Sequence, residues 1–304
     1  MLRHWLIPLA VAGAAFPNTV FSGTPYLPAP DSGQEYGSAT LSTFRVDETG
    51  EPLTPAVLQR LVTVEPGTLP VVFSVPHGGS QVIPHTSPRR GLGLADFQTV
   101  RDGWTIELAT ACAAEMEGLL KGRPWLIIAQ ADRQYVDVNR PPERAYESPN
   151  AQAVYRRYHQ SVAAACQQVR QRWGSGLLLD LHGQGEFPEA ICRGTLNGQT
   201  VRLLLDRHGW AALTGKRGLL GYLQRQGYKT LPDCSATTQN REVPHYRGGY
   251  IVTTYGSHTD QGLDAVQLEI GIRLREQGRW KETARDLANA IALWLEEFLP
   301  TNRH

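Results

Sequence analysis

The chain has 304 residues, with 30 basic and 29 acidic side chains and a formal net charge of +1 at pH 7. Because the charges are nearly balanced, there is no electrostatic basis for binding nucleic acid or an anionic membrane surface. We therefore expect no nucleic-acid partner. Hydrophobic residues make up 41% of the chain, enough at this length for a large core in one or two domains.

The first residues have the pattern of an export signal. A basic start at Arg3 and His4 precedes an apolar stretch at residues 5–16, and the small residues that follow suit a cleavage site. The stretch is shorter than the roughly 20 apolar residues that span a bilayer. We therefore predict a signal peptide over residues 1–22, a periplasmic or secreted location, and no stable membrane anchor after cleavage. A buried N-terminal helix is the alternative.

Residues 23–60 are rich in proline, glycine, serine and threonine and show little periodicity, which predicts an extended N-terminal lead-in. From residue 61 onward, apolar runs alternate with amphipathic segments as in α/β proteins, and no segment resembles an interdomain linker. We predict one domain over residues 61–304 with a central, mixed or mostly parallel sheet. In chain order, the predicted elements are a strand at 71–75, a helix at 102–116, a strand at 125–129, a helix at 152–173, a strand at 177–181, a helix around 219–225, strands at 250–255 and 265–270, and a helix from about 281 to 298.

Two histidines each come shortly after a predicted buried strand. His77 comes after the run VVFSV and His182 after LLLDL, and glycine follows both. Ligands bind at this edge of open α/β sheets. A catalytic zinc takes about three His, Asp or Glu ligands and keeps one position open. The two histidines are therefore candidate metal ligands, although each is equally compatible with a structural role. Asp180 either supports His182 from behind or simply ends its strand.

Two charged residues occupy positions that restrict their partners. Arg140 lies in a loop that two prolines fix, and a guanidinium binds a carboxylate through two parallel hydrogen bonds. It suggests a substrate with a free acid group, although a surface salt bridge is the simpler interpretation. Glu269 interrupts an apolar strand, where a carboxylate needs a cation, a donor or a water-filled pocket. Beside a metal, such a carboxylate is the usual general base of hydrolysis.

Four ordered segments resemble the N-formylglutamate amidohydrolase family. They are SVPHGG at residues 74–79, DRQYVDVNRPP at 132–142, LDLHG at 179–183, and GGYI at 248–251 continuing to QLE at 267–269. The resemblance covers about residues 70–276. It implies a zinc hydrolase with an α/β fold, a three-layer α/β/α sandwich with a central mixed sheet, similar to zinc carboxypeptidases.

The resemblance also implies roles for five residues. His77 and His182 become zinc ligands, and Glu269 becomes the general base. Asn139 and Arg140 become the residues that bind a substrate carboxylate.

The third zinc ligand needs a separate argument. Zinc carboxypeptidases use a His-x-x-Glu pattern, but position 80 of this chain is serine. Asp102 opens the next predicted helix, where the family also tends to carry an acid, and it is the predicted third ligand ahead of Glu107 and Glu186. The alternative role for Asp102 is to cap that helix.

Two further residues are candidates for substrate binding. Arg133 adds a second positive group or pairs with the neighbouring Asp132. Tyr255 points its hydroxyl at the substrate or, as a tyrosine at the end of a predicted strand, contributes only packing.

These residues together predict a zinc-dependent amidohydrolase that cleaves an amide bond in a small-molecule or peptide substrate with a free carboxylate. Deformylation of N-formylglutamate is the reaction that the resemblance implies. An exported metallocarboxypeptidase or amidase acting on acidic peptides is the alternative enzyme. A non-catalytic binding protein on the same fold is the alternative from another class.

The four cysteines form an even set, which permits disulfides in an exported chain. Four cysteines allow three pairings, and the sequence does not choose among them. Cys112 and Cys166 lie in alanine-rich helical stretches, where free buried thiols are the alternative.

Overall fold

The computed structural model describes residues 51–234 and 241–299, which belong to one compact unit, Val46–His304. The predicted signal peptide at 1–22 and most of the predicted lead-in lie outside the described residues. The strands are β1 (Val62–Glu65), β2 (Val71–Val75), β3 (Trp125–Ala129), β4 (Leu177–Gln184), β5 (Ala190–Gly194), β6 (Lys229–Leu231) and β7 (Asp264–Gly271). The helices are α1 (Pro55–Leu61), α2 (Thr105–Leu120), α3 (Pro142–Ala145), α4 (Pro149–Trp173), α5 (Arg202–His208), α6 (Ala211–Thr214), α7 (Leu219–Arg225), α8 (Tyr250–Tyr255) and α9 (Trp280–Phe298).

The seven described strands form one mixed sheet in the order β1-β3-β2-β4-β7-β5-β6. Its four central strands, β3, β2, β4 and β7, run parallel to one another. Strand β1 is antiparallel to β3, and β5 is antiparallel to β7. The carboxyl ends of β2, β4 and β7 therefore meet at one edge of the sheet.

The central strands are buried on both faces, which explains their continuous apolar runs. Along β2, Val71, Phe73 and Val75 pack into a core with helices α2, α7 and α9. Val72, on the opposite face, packs into a second core with α1, α4 and α8. Two helical layers thus cover the sheet, and the predicted α/β/α architecture with a central mixed sheet is confirmed.

The segment at 250–255 was predicted to be a strand, and that prediction is wrong. Its β-branched and aromatic residues favour a strand, but the structure forms the short helix α8. Ile251 and Val252 are buried in the second core, and the hydroxyls of Thr253 and Thr254 each donate to the backbone carbonyl four residues earlier. Tertiary packing and these local bonds override the propensity.

Other elements also differ from prediction: β1, β5 and β6 were not predicted, α4 begins earlier than predicted and β4 ends later. The end of the predicted extended lead-in is helical, because Thr54 caps α1 with its side chain and Pro55 occupies the first turn. The helix predicted at 102–116 begins later, at Thr105. No helix within residues 51–234 and 241–299 is both long and apolar enough to cross a membrane.

Candidate metal centre

His77 and His182 meet at the carboxyl edge of the sheet. His77 lies two residues past the end of β2, and His182 lies near the end of β4. Their ring centroids are 4.8 Å apart in an edge-to-face arrangement. Both side chains are buried, and with Asp102 they form a group whose possible ligand atoms all lie within 4.8 Å of one another. The sequence prediction of a shared site for the two histidines is thus matched by their proximity.

Asp102 is held by the backbones of both histidine segments. Its amide donates to the carbonyl of His77 at 2.9 Å, and its Oδ2 accepts from the amide of Gly183 at 3.1 Å. Trp104, in the left-handed region at φ 68°, occupies the cap position of α2 and makes no side-chain cap. The carboxylate of Asp102 therefore faces the histidines, and the alternative role of helix cap does not apply.

A carboxylate stands behind each histidine ring. His77 Nε2 donates to Asp137 Oδ1 at 2.7 Å, and His182 Nε2 donates to Asp180 Oδ2 at 2.9 Å. Both carboxylates are at least 99% buried. Such partners fix the tautomer of a metal-binding histidine and make its other nitrogen a stronger ligand. In both rings the nitrogen that remains is Nδ1.

The Nδ1 atoms converge on Asp102. Oδ2 of Asp102 lies 3.4 Å from Nδ1 of His77 and 3.2 Å from Nδ1 of His182. Nδ1 of His77 is buried and forms no hydrogen bond. When both Nε2 atoms carry the proton, these three atoms direct electron pairs toward one another, which is unfavourable without a positive charge between them. The donor set therefore fits a divalent cation such as zinc.

The electrostatics of the site favour positive charge. Burial would raise the pKa of Asp102, but the hydrogen bond of His182 and the charges of His77 and His182 hold that pKa far below its ordinary value. Burial would lower the pKa of His182, but the charges of Asp180 and Glu269 and the hydrogen bonds of the neighbouring carboxylates raise that pKa well above its ordinary value. The surrounding carboxylates thus favour a positive charge at this position.

Glu269 lies beside the cluster on the neighbouring strand. It pairs in register with His182 between β7 and β4, so both side chains leave the same face of the sheet. Gln267 Nε2 donates to Glu269 Oε1 at 2.9 Å. Burial raises the pKa of Glu269, and the charge of His182 opposes this. Of the three partners expected for this buried carboxylate, a cation, a donor or a water-filled pocket, the structure provides a donor, Gln267.

The two predicted carboxylate binders point in different directions. Asn139 Oδ1 accepts from the amide of Ile251 at 2.9 Å, which places Asn139 Nδ2 3.0 Å from His182 Nε2. Because both of these nitrogens carry protons when His182 Nε2 donates to Asp180, this is a close contact and not a hydrogen bond. Gly249 permits this approach, because a Cβ there would lie 2.4 Å from Asn139 Nδ2. Arg140 instead forms an ion pair with the exposed side chain of Asp96, with Arg140 Nε 3.8 Å from Asp96 Oδ2. Asn139 is thus part of the histidine cluster, and Arg140 pairs with a loop carboxylate.

The two remaining substrate-binding candidates also have clear positions. Arg133 is buried behind the cluster, where Nε and Nη2 both lie 2.9 Å from Asp137 Oδ2 and Nη1 lies 3.9 Å from Asp102 Oδ1. The hydroxyl of Tyr255 lies 2.9 Å from His159 Nδ1, between α8 and α4. Tyr255 therefore has the packing role that the sequence left open, and Arg133 pairs with Asp137 rather than with its neighbour Asp132.

The two alternative candidates for the third metal ligand, Glu107 and Glu186, are not part of the histidine group. Glu107 is exposed on α2, and Glu186 is exposed and accepts a hydrogen bond from His245 Nε2. Among the residues described, Asp102 alone joins the two histidines in a possible metal-binding group.

Sequence reasoning assigned no role to Asp137 and left that of Asp180 open. Asp137 lies inside the family-like segment at 132–142, so its presence there was the available signal. Gln267, two residues before Glu269 on the same face of β7, was also missed. Residues two apart share a strand face, which could have identified it as a partner of Glu269.

Fold and site together define an α/β/α protein with a buried group of two histidines and one carboxylate that can hold a metal ion. Solved structures share this fold. The crystal structure of N-formylglutamate amidohydrolase from Ralstonia eutropha JMP134 matches with a TM-score of 0.53 and 18% identity, over 79% of this chain and 98% of that one. A gene product of Agrobacterium tumefaciens matches with a TM-score of 0.52 and 16% identity, over 80% of this chain and 97% of that one. No protein-family profile and no curated protein sequence matches the chain.

Proposed function

We propose that this protein is a zinc-dependent amidohydrolase that cleaves an amide bond in a small molecule or peptide with a free carboxylate. The observation that carries the proposal is the convergence of Asp102 Oδ2 with Nδ1 of His77 and Nδ1 of His182 in a buried site. Two histidines and one carboxylate form a ligand set of catalytic zinc, with a fourth position left for water or substrate. The fold shared with N-formylglutamate amidohydrolase supports the same reaction class.

His77, Asp102 and His182 would hold the metal, and Asp137 and Asp180 keep the histidine rings in place. Bound zinc supplies a Lewis acid that polarises the scissile carbonyl and makes water more acidic.

Glu269 carries out the proton transfers. It accepts a proton from the water that attacks the carbonyl carbon and returns that proton to the nitrogen of the leaving amine. The C–N bond breaks, and the amide and water become a carboxylic acid and an amine. Gln267 binds Oε1 of Glu269, which leaves Oε2 as the oxygen that handles the proton.

The carboxylate of the substrate determines how the amide is placed. Arg140 supplies a guanidinium with the geometry for bidentate binding, and Asn139, the preceding residue, lies beside His182. An anchor several bonds from the scissile C–N bond fixes the amide over the cluster, so that the reaction takes place within one complex.

Metal analysis and a substrate screen test the proposal together. Purified protein is expected to bind one equivalent of zinc and to hydrolyse members of a panel of N-formyl, N-acyl and peptide substrates, N-formylglutamate among them. Glu269→Gln should bind the same zinc and lose turnover, whereas His182→Ala should lose both. Substoichiometric zinc with no activity restored by added zinc would show a binding protein on this fold and overturn the proposal.

A further inference from the structure

A chain of buried polar groups runs from helix α4 to the candidate metal centre. Ser74 Oγ donates to Asp180 Oδ1 at 2.7 Å, and the hydroxyl of Tyr158 lies 2.8 Å from Ser74 Oγ. The second oxygen of Asp180 accepts from His182 Nε2 at 2.9 Å. Since the single proton of Ser74 goes to Asp180, the hydroxyl of Tyr158 must donate to Ser74. The chain therefore has one direction, from Tyr158 through Ser74 to Asp180.

Burial makes this chain costly unless every member is satisfied. Ser74, Tyr158 and Asp180 each have 0% exposure, and His182 has 3%. Ser74 is the only polar residue of β2, and Asp180 is the only charged residue in the apolar run that precedes His182. Apolar residues at these positions would pack without any desolvation cost. The hydrogen bonds offset that cost and hold the Asp180 carboxylate in one orientation.

Strand register explains why these groups meet. Ser74 of β2 and Asp180 of β4 are direct partners across two parallel strands, so their side chains leave the same face side by side. That face is covered by α4, whose Tyr158 belongs to the same core. The next residue of β4 on this face is His182. The network thus connects the packing of α4 with the orientation of one metal-ligand candidate.

The two histidines are supported in different ways. Asp137, behind His77, is held by the guanidinium of Arg133. Asp180, behind His182, is held by the neutral hydroxyl of Ser74. A neutral hydroxyl orients the Asp180 carboxylate without placing a positive charge beside it, whereas Asp137 is held by a cation.

We propose that Ser74 and Tyr158 are positioning residues that act through Asp180 to keep Nδ1 of His182 directed at the metal. This inference rests on the proposed function only in taking the cluster to bind zinc. It predicts that Tyr158 of α4, which reaches Asp180 through two hydrogen bonds, contributes measurably to the metal affinity.

The test measures zinc affinity by competition with a chromophoric chelator, a readout that does not depend on turnover. Asp180→Asn should weaken zinc binding about 10- to 100-fold, the range for carboxylates behind metal ligands. Ser74→Ala and Tyr158→Phe should each weaken it about threefold to tenfold, the range for one net hydrogen bond. Ser74→Thr, which keeps the hydroxyl, should retain most of the zinc affinity that Ser74→Ala loses.

A double variant distinguishes action through Ser74 from a general loss of stability. In the Ser74→Ala background, Tyr158→Phe should produce no further loss of zinc affinity, because the hydrogen-bonded route through Ser74 to Asp180 is gone. Tyr228→Phe is the matched control, since the Tyr228 hydroxyl also donates to a carboxylate, that of Asp286 at 2.9 Å, away from the site. It should leave zinc affinity unchanged.

Equal zinc affinity in the parent protein, Ser74→Ala and Tyr158→Phe would overturn this inference. Additive losses in the double variant would overturn the serial route through Ser74. Failure of the parent protein itself to bind zinc would instead overturn the proposed function, so the two failures are distinguishable.

Discussion

His77 Nε2 donates to Asp137 Oδ1 at 2.7 Å, and this bond joins a metal-ligand candidate to a carboxylate 60 residues away. Arg133 contacts the other oxygen of Asp137 with two nitrogens, each at 2.9 Å. Burial would raise the pKa of Asp137, but the charge and hydrogen bond of His77 and the charge of Arg133 hold that pKa well below its ordinary value. Asp137 is therefore a fixed anion behind the His77 ring.

Replacing Asp137 by asparagine should weaken zinc binding about 10- to 100-fold, because an amide neither holds the Nε2 proton as firmly nor increases the basicity of Nδ1. Chelator competition measures the change. Asp206→Asn, at a surface carboxylate paired with Arg202 at 3.7 Å, is the control and should bind zinc like the parent protein. Unchanged affinity in Asp137→Asn would contradict the role given to this bond.

Asp96 forms an ion pair with Arg140, so in the proposed function a substrate carboxylate would compete with Asp96 for the guanidinium. Its Oδ2 lies 3.8 Å from Arg140 Nε, and its other oxygen contacts Arg144. The pair is weak, because the Asp96 side chain is 56% exposed. Asp96→Asn should therefore lower KM for carboxylate-bearing substrates about twofold to fivefold, measured by steady-state kinetics.

The same experiment has an internal comparison. Arg140→Lys removes the planar fork and should raise KM for those substrates about tenfold or more. Amide substrates that lack the carboxylate should respond to neither change. Equal effects on both sets of substrates would remove Arg140 from the binding of the carboxylate.

The metal-ligand candidates and Glu269 could be predicted from the sequence, because each stands out locally. His77 and His182 each come at the end of an apolar run, and Glu269 interrupts one. Parallel strands bring their carboxyl ends together, so residues far apart in the chain were expected at one edge. The central strands β2, β3 and β4 could also be predicted, because strands that are buried on both faces are apolar throughout.

The support of the site could not be predicted in the same way. Tyr158 is one of several aromatic residues on α4, and nothing in its sequence neighbours indicates that its hydroxyl meets Ser74 across 84 residues. The helix α8 was missed because its residues favour strands, whereas its packing, its hydroxyl bonds and its bond with Asn139 stabilise a helix. Contacts of this kind depend on the assembled layers rather than on local patterns.

All four cysteines are predicted to be protected, reduced thiols. Cys112, Cys166, Cys192 and Cys234 are buried and unbridged, and burial raises the pKa of Cys166 and of Cys192 to about 12. A thiol reagent should find less than one reactive group in the native protein and four after denaturation without reductant. Fewer than four would show a disulfide, as the proposed periplasmic or secreted location permits. A reduced and denatured sample gives the reference value.

His159 should make the folded protein less stable as the pH falls. It packs against Tyr155, Tyr250 and Tyr255. Burial lowers its pKa to about 4, although the carbonyl of Val138 and the charge of Asp180 oppose this.

The unfolded chain, with a histidine pKa of about 6.5, takes up this proton before the folded protein does. The contribution of neutral His159 to the free energy of unfolding is therefore fully present above about pH 6.5. It falls between about pH 6.5 and pH 4, by on the order of 2 kcal/mol.

Urea unfolding at pH 7 and at pH 4.5 measures this change in the parent protein and in His159→Gln, which does not titrate. The variant should be less stable at pH 7 because it loses ring packing, and it should lose less stability on acidification. An identical loss in both proteins would show that other groups cause the acid sensitivity. Asp102 and Asp137 do not confuse the comparison, because their lowered pKa values place their effect mainly at lower pH and because both are present in the variant.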